Sequence, residues 1–549
     1  MSNGERLRSD RTATNPASVV LVTLASAQFL MTLDTSVMNV SISTVAKDVG
    51  TTVTGIQTAI TMYTLVMAAF MITGGKIGQI IGRKRAFTIG AVIYGCGSFT
   101  TALAPSLPVL LIGWSLLEGI GAVLILPAVV ALVATNFGKG ERPRAYGLVA
   151  SAGAIAVAVG PLIGGLFTTY ASWRWVFAGE VLIVIVILVL ARRFAESPPE
   201  KGVKLDLVGT ALSAVGLGLI VYGVLRSGSW GWVKPTPNAP VWFGLSPVIW
   251  LLTAGAIVLF LFLSWEDRLI AQGKEPLINL PRLRNPVLRG GLIAFMFQYM
   301  VQMGLFFVIP LFLSIALGLS AIATGVRLLP LSITLLLAAV GVPRLFPRAS
   351  PRFVVRTGFV ALFAAIAVMV ALLDISAGPE IVTWPMLLAG LGVGALASQL
   401  GAVTVSSVPD ERSSEVGGLQ NTFTNLGASI GTALAGAVLI SALTSSFFAN
   451  IASNPDVPKS VVSTAQVELT SGVPFVSDED LKAALTSAQV PPSVTDAIVE
   501  ENAKARIDGL RAALSVLGLL SAVAFVAARR LPRVQPSDPK FADAVNASD

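Results

Sequence analysis

Three acids stand inside long apolar runs of this chain. Asp34 lies in Leu33-Asp34-Thr35-Ser36-Val37-Met38-Asn39-Val40, Glu118 in Gly113-Trp114-Ser115-Leu116-Leu117-Glu118-Gly119, and Glu180 in Phe177-Ala178-Gly179-Glu180. A carboxylate in such a setting is costly unless it is protonated, paired or facing water, so each is a candidate proton- or cation-binding group. Each also has a structural reading: Asp34 as one member of a fixed pair, Glu118 as a lipid-facing or neutral, protonated glutamate, and Glu180 as a structural group. Asp34 sits about fifteen residues into its run, roughly 22 Å of helical rise. Glu180 is only about five residues inside the outer boundary of its run, where partial hydration is expected. The chain contains no histidine. Histidine metal sites, Ser-His-Asp triads and histidine relays are therefore excluded, and proton chemistry near neutral pH falls to the carboxylates. No metal site and no organic cofactor are expected. The lone cysteine, Cys96, excludes an intramolecular disulfide. No G-x-x-x-x-G-K-[ST] stretch occurs, which argues against an ATP-driven device.

Other polar groups in the apolar runs are neutral or basic: Asn39, Tyr63, Gln298, Gln302, Arg327, Asn421 and Asn425. Gln298/Gln302 and Asn421/Asn425 are i, i+4 pairs, so each pair shares one helix face. Such a face lines a cavity or binds helices together. For the asparagines the glue reading is favoured, because Gly427 and Gly431 form a close-packing GxxxG beyond them. Asn39, Tyr63, Gln298, Gln302 and Arg327 are candidates for lining a cavity; Arg327 has the alternatives of snorkelling outward or countering an intramembrane acid.

The elements that must position these groups are membrane spans. Of 549 residues, 54% are hydrophobic and only 12% are charged, against about 25% charged in soluble domains. Runs of roughly 20 apolar residues place helices near 19–45, 54–74, 86–104, 108–136, 146–170, 175–195, 206–226, 247–265, 288–317, 321–343, 353–373, 380–407, 417–444 and 508–529. The first run is read as a retained span, since no small-residue cleavage site follows the basic start. The net charge of +8 falls in short loops between runs, which is the pattern of membrane orientation and not of nucleic-acid binding. With the N-terminus cytoplasmic, the basic clusters Arg83-Lys84-Arg85, Lys139/Arg142/Arg144, Arg192/Arg193, Arg344/Arg348/Arg352 and Arg529/Arg530 all fall inside. Both termini are then cytoplasmic, as 1–18 and 530–549, in a multi-pass protein of the cell membrane. The net acidic insertion 445–507 falls outside. Ser477 before Asp478-Glu479-Asp480 and Ser493 before Asp496 look like helix N-caps, so short amphipathic helices compete there with a flexible loop.

Several stretches resemble the major facilitator superfamily, and within it the fourteen-helix drug:proton antiporters. Gly74-Gly75-Lys76-Ile77-Gly78-Gln79-Ile80-Ile81-Gly82-Arg83-Lys84-Arg85 is similar to the signature loop G-x-x-x-D-x-x-G-R-[KR], with Gln79 at the aspartate position. The resemblance implies a gating loop at Gly75, Gly82, Arg83 and Lys84, with Glu411 or Glu415 as substitute partners of Arg83. Gly160-Pro161-Leu162-Ile163-Gly164-Gly165 looks like the antiporter motif G-P-x-x-G-G, a proline kink beside a flat glycine face. Trp173-Arg174-Trp175 resembles the boundary that follows it, and also suits an interfacial belt. The segment from Leu33 resembles L-D-x-T-x-x-N-x-A. The fourth span is similar to R-x-x-Q-G-x-G-A-A, with Ser115 at the arginine position and Glu118 at the glutamine position. The family usually has asparagine where Glu180 stands.

The resemblance implies an all-α integral membrane protein. It would have two six-helix bundles, 19–195 and 288–529, with two extra central helices at 206–265 and the outside loop 445–507 inserted between the last two helices. The expected function is secondary transport: export of amphipathic drugs or related small molecules, driven by inward proton flow through Asp34, Glu118 and Glu180. A cationic substrate would exchange with protons on those same acids. Partners are then the small-molecule substrate, protons and the lipid bilayer, without nucleic acid; oligomeric state is left open. Two alternatives remain: import or export of a specific metabolite or lipid on the same fold, and a membrane receptor or assembly partner acting through 445–507. An enzyme is not expected.

Overall fold

The computed structural model describes residues 16–137, 142–195, 199, 203–236, 239–278, 285–407, 413–469 and 473–535. Among these residues the chain is helical, apart from one isolated bridge between Trp242 and Leu245. The helices are α1 (Pro16–Asp48), α2 (Val53–Ile81) and α3 (Arg83–Ala102). Then α4 runs as Leu107–Leu110, a π-helical stretch Leu111–Glu118, and Gly119–Asn136. It is followed by α5 (Arg142–Tyr170), α6 (Arg174–Ala191), α7 (Leu207–Trp230) and α8 (Pro247–Ala271). Next come α9 (Pro286–Leu311), α10 (Ala321–Leu345), α11 (Pro351–Leu372), α12 (Thr383–Ser406) and α13 (Ser413–Ser453). Two short helices, α14 (Lys459–Glu468) and α15 (Asp478–Ser487), lead to α16 (Pro492–Ala527).

The sequence starts these helices in a consistent way. The side chains of Thr52, Asp206, Ser246, Asn285, Ser320 and Ser350 each accept a first-turn backbone N–H. Pro247, Pro286 and Pro351 occupy first-turn positions where no N–H is needed. Between α2 and α3 the chain turns on Gly82, whose φ is +96°; any side chain there would be strained.

Twelve of the helices are long and apolar enough to cross a membrane, and the pair Gly147–Val157 and Val159–Tyr170, bent by 42°, makes a thirteenth if counted as one span. Among the described residues the count on this measure thus stands one short of the expected fourteen. The exception is α3, a 20-residue helix with three cationic residues at its start, three glycines and five hydroxyl side chains. Helices α1–α6 pack on one another, as do α9–α13 with α16. Two helix pairs, α2 with α13 and α5 with α10, form the seams between these groups, and α7 lies against both α2 and α13. The α2/α13 seam is tied by Gln57 Nε2, which donates to the carbonyls of Thr432 and Ala433 at 3.1 Å each, and by Ser429 Oγ to the Thr61 carbonyl at 3.0 Å.

The acidic insertion forms α14 and α15, and Val457, Val473 and Phe475 around them are buried in the main core. Ser477 caps α15 as expected, accepting the Asp480 N–H at 3.1 Å. Ser493 caps nothing: Pro491 is the N-cap position and α16 runs unbroken from Pro492 through the last span. Proline at the first turn starts that helix two residues early, so Ser493 is already inside it.

Candidate functional site

Helices α3 and α4 pack through small residues. A Cβ at Gly97 would sit 2.6 Å from Glu118 Cγ, and one at Gly121 would sit 2.7 Å from the Tyr94 backbone N. This approach brings polar side chains of α3 against the π-helical stretch of α4. A π turn advances the helix face differently from an α turn, and here Trp114, Ser115 and Glu118 are all turned inward, at 0%, 3% and 0% exposure. Asp34 from α1 and Glu180 from α6 complete the site, at 0% and 1% exposure. The burial of Glu180 corrects the expected partial hydration: α6 leans on α3, and Ser98 and its neighbours cover the carboxyl.

The three acids, far apart in sequence, therefore meet. One carboxylate oxygen from each of Asp34, Glu118 and Glu180 lies within 4.8 Å of the others. Trp114 Nε1 donates to Asp34 Oδ1 at 2.8 Å and Oδ2 at 2.9 Å. Ser98 Oγ donates to Glu180 Oε2 at 3.1 Å, and Thr101 Oγ1 lies 3.1 Å from Glu118 Oε1. Tyr63 stacks on Trp114 with ring centroids 5.2 Å apart and planes 4° off parallel. Glu118 Oε2, Glu180 Oε1 and the hydroxyls of Tyr63 and Tyr94 are buried without a hydrogen-bond partner. The groups acting on the trio are acids, tyrosines, hydroxyls and one indole; no lysine or arginine is among them. Ser115, at the position where the resemblance implied an arginine, donates instead to the Ala59 carbonyl of α2 at 2.8 Å.

A separate small cavity lies between the two helix groups. It is lined by Ser36, Asn39 and Val40 of α1, Pro161 of α5, Phe306 of α9, and Leu328, Leu331 and Ser332 of α10. No acid lines it. Of the expected cavity residues, Asn39 lines it, while Tyr63 belongs to the acid cluster. Gln298 and Gln302 are buried on α9 with their Oε1 atoms unpartnered, two turns and one turn before Phe306 respectively. Arg327 is half-buried on α10, one turn before Leu331. Asn425 donates to the Asn421 carbonyl of its own helix, so that pair is not glue between helices; Gly427 and Gly431 are, packed on the Met296 and Met300 carbonyls of α9.

The kink motif occupies the α5/α10 seam. A Cβ at Gly160 would meet Ser36 Cβ at 2.3 Å, at Gly164 Val37 Cα at 2.9 Å, and at Gly165 the Ala321 carbonyl at 2.7 Å. Gly325 of α10 in turn presses on the Pro161 carbonyl. In the loop after α2, Arg83 Nη1 donates to the Gly75 carbonyl at 3.1 Å, and Lys84 Nζ donates to the Phe194 carbonyl at 2.9 Å beyond the end of α6. Glu411 and the side chain of Glu415 lie outside the described residues. Trp173 Nε1 and Arg174 Nη1 both donate to Asp48 Oδ2 at 2.9 Å, while Trp175 is exposed like a belt residue.

Sequence reasoning named the three acids but gave no role to Trp114, Tyr94, Ser98 or Thr101. The available signal was spacing: Trp114 and Glu118 are i, i+4, and Ser98 and Thr101 are i, i+3.

The chain is a multi-pass, all-helical membrane protein with a buried polar centre and a small cavity between its helix groups; its family and relatives make it a transporter and not an enzyme. The sequence profile of the Major Facilitator Superfamily matches residues 24–432, and the chain belongs to that family. It is 29% identical over 445 residues to the puromycin resistance protein pur8 of Streptomyces alboniger, covering 79% of this chain and 84% of that one. It is 30% identical over 427 residues to the cephamycin export protein CmcT of Amycolatopsis lactamdurans, covering 77% and 85%. The multidrug resistance protein Stp of Mycobacterium tuberculosis is 25% identical over 519 residues, covering 93% and 91%. Among solved structures, an inward-facing bacterial homologue of the human lysosomal transporter Spinster matches with a TM-score of 0.59 at 16% identity, covering 94% of this chain and 98% of that one.

Proposed function

We propose that this protein is a proton-coupled exporter of amphipathic drug-like molecules in the cell membrane, working by alternating access. The reading counts α3 as a fourteenth span and places both termini in the cytoplasm, in line with the basic clusters in alternate loops. Relatives named for resistance to or export of puromycin, cephamycin and multiple drugs support the cargo class and the direction.

The observation that carries the coupling is the cluster of Asp34, Glu118 and Glu180. Three neighbouring carboxylates cannot all stay ionised in a dry site, and groups this close take up and release protons as one unit. None of the three acids lines the small inter-bundle cavity, which favours coupling at a distance over direct exchange of protons for substrate. Coupling passes instead through α1, which carries Asp34 into the cluster and Ser36, Asn39 and Val40 into the cavity. A change in charge at Asp34 alters how α1 sits against α4, and with it the cavity wall.

The test is efflux of a panel of antibiotics and dyes from an efflux-deficient host. Export should stop when a protonophore collapses the gradient while ATP is maintained. Export that continues under those conditions sinks the reading.

A further inference from the structure

The acid cluster has the composition of a site for a bare metal cation. Its oxygens come from five helices: Asp34 on α1, Tyr63 on α2, Tyr94, Ser98 and Thr101 on α3, Glu118 on α4 and Glu180 on α6. The carboxylate oxygens of the trio lie within 4.8 Å of one another, about twice the 2.3–2.6 Å bond of a calcium-sized cation to oxygen. A magnesium ion, with bonds of about 2.0–2.1 Å and tightly held water, would need the acids to close in further. The donor set is all oxygen, with no histidine in the chain and Cys96 exposed elsewhere. That excludes the soft ligands that select zinc or copper.

A second observation points the same way. The Tyr63 and Tyr94 hydroxyls are buried, at 2% and 0% exposure, and lie toward the Asp34 carboxylate, yet neither completes a hydrogen bond. Glu118 Oε2 and Glu180 Oε1 are likewise buried and unpartnered. Among the described residues, no lysine or arginine figures among the groups acting most strongly on the three acids. Neutral oxygens and uncompensated carboxylates converging on one point are what a hard cation requires.

We propose that Asp34, Glu118 and Glu180, with the Tyr63 and Tyr94 hydroxyls, form a binding site for a dehydrated hard cation of calcium or sodium size. Its binding competes with protonation of the same acids. The proposal rests on the reading of the cluster as the coupling site and adds a second ion to it. Up to three carboxylates favour a divalent ion, and a monovalent ion is held together with retained protons. Titratable groups facing the site from every neighbouring helix are the three acids and the two tyrosines, so binding strengthens as pH rises through the range where the acids give up protons.

The experiment uses the full-length protein in lipid nanodiscs. Its unfolding temperature is measured against CaCl2, NaCl and MgCl2 at constant ionic strength set with choline chloride, at pH 8 and pH 6. A saturable rise with calcium or sodium at pH 8, weaker at pH 6 and absent with magnesium, is expected. Glu118→Gln and Glu180→Gln should each weaken it at least tenfold. If these variants fail to fold, Mn2+ binding to the wild type, followed by electron paramagnetic resonance and competed by calcium and by acid, gives the same answer. Equal small rises in every salt, or undiminished binding in the folded double variant, overturn the site. Efflux driven by a pH gradient in sodium-free medium with chelator then separates the two readings. Efflux without cation binding removes the metal site and keeps proton coupling, whereas cation binding without pH-driven efflux removes proton coupling and keeps the site.

Discussion

The two helical halves share an architecture and differ in what they bury. The N-terminal half encloses Asp34, Glu118 and Glu180 in one cluster. From α9 to α13 the acids with described side chains are Asp374 and Glu380, both between α11 and α12. The buried polar side chains of those helices are amides and hydroxyls, such as Gln298, Gln302, Gln399 and Thr404. Protonation can therefore change the charge inside the first half, whereas α9–α13 bury no acid among the described residues; the buried acid of the second half, Glu501, lies on α16 and is held by Asn454 and Lys504. The difference places the candidate coupling groups in the first half, with α1 as the element that touches both the cluster and the cavity.

The largest expected effect tests this division directly. Asp34→Asn and Glu118→Gln should each lower pH-gradient-driven efflux by about 100-fold, the low end of the loss from removing a proton-transfer group, with normal amounts of protein in the membrane. Gln298→Leu and Gln302→Leu should keep the dependence on the gradient and alter only the apparent KM. If the acid variants export like wild type, or if the glutamine variants lose gradient dependence, the division fails.

A smaller effect is expected at the seam where the halves meet. Gly165→Val places a branched side chain where even a Cβ would lie 2.7 Å from the Ala321 carbonyl. Overpacking of this kind costs about 1–3 kcal/mol. Because the contact belongs to the closed α5/α10 seam, the cost falls on that arrangement. Accessibility labelling of a cysteine introduced at Ile322 should rise in the variant. Unchanged labelling with unchanged transport would show that the glycine face is not part of the moving seam.

Much of the fold was legible because apolar length and loop charge are strong signals. The run at 86–104 is legible as a helix, yet α3 is less apolar than the other spans because its glycines and hydroxyls serve packing and the acid cluster, so its low hydropathy is itself a trace of the site. Each acid was visible as a charge in an apolar run; their meeting was not. It depends on the π-helical stretch of α4, which shifts the face that Trp114 and Glu118 present, and on glycine contacts between α3 and α4 that set the depth of Ser98 and Thr101. Exposure of Glu180 was misjudged because distance from the span's end says nothing of what a neighbouring helix covers. The absence of histidine pointed away from a metal, yet an all-oxygen site needs none.

The smallest effect concerns α14 and α15, where the first half touches the insertion that belongs to the second. Lys47 at the end of α1 pairs with Asp480 of α15 at 3.0 Å, with both side chains substantially exposed. The Ser477 hydroxyl and then Lys47 hold the Asp480 carboxyl below the usual aspartate range. A carboxyl lowered in the folded state stabilises the fold above its unfolded value, near pH 4, and that contribution is lost as pH falls through the lower folded value. At neutral pH, Lys47→Ala should cost no more than about 1 kcal/mol, as exposed ion pairs do. The difference in unfolding temperature between wild type and variant should shrink below pH 4 and with added salt. A much larger loss of transport in Lys47→Ala than in Asp480→Ala would mean that Lys47 acts on something other than this pair, and the cap would then have to be treated as part of the outer gate.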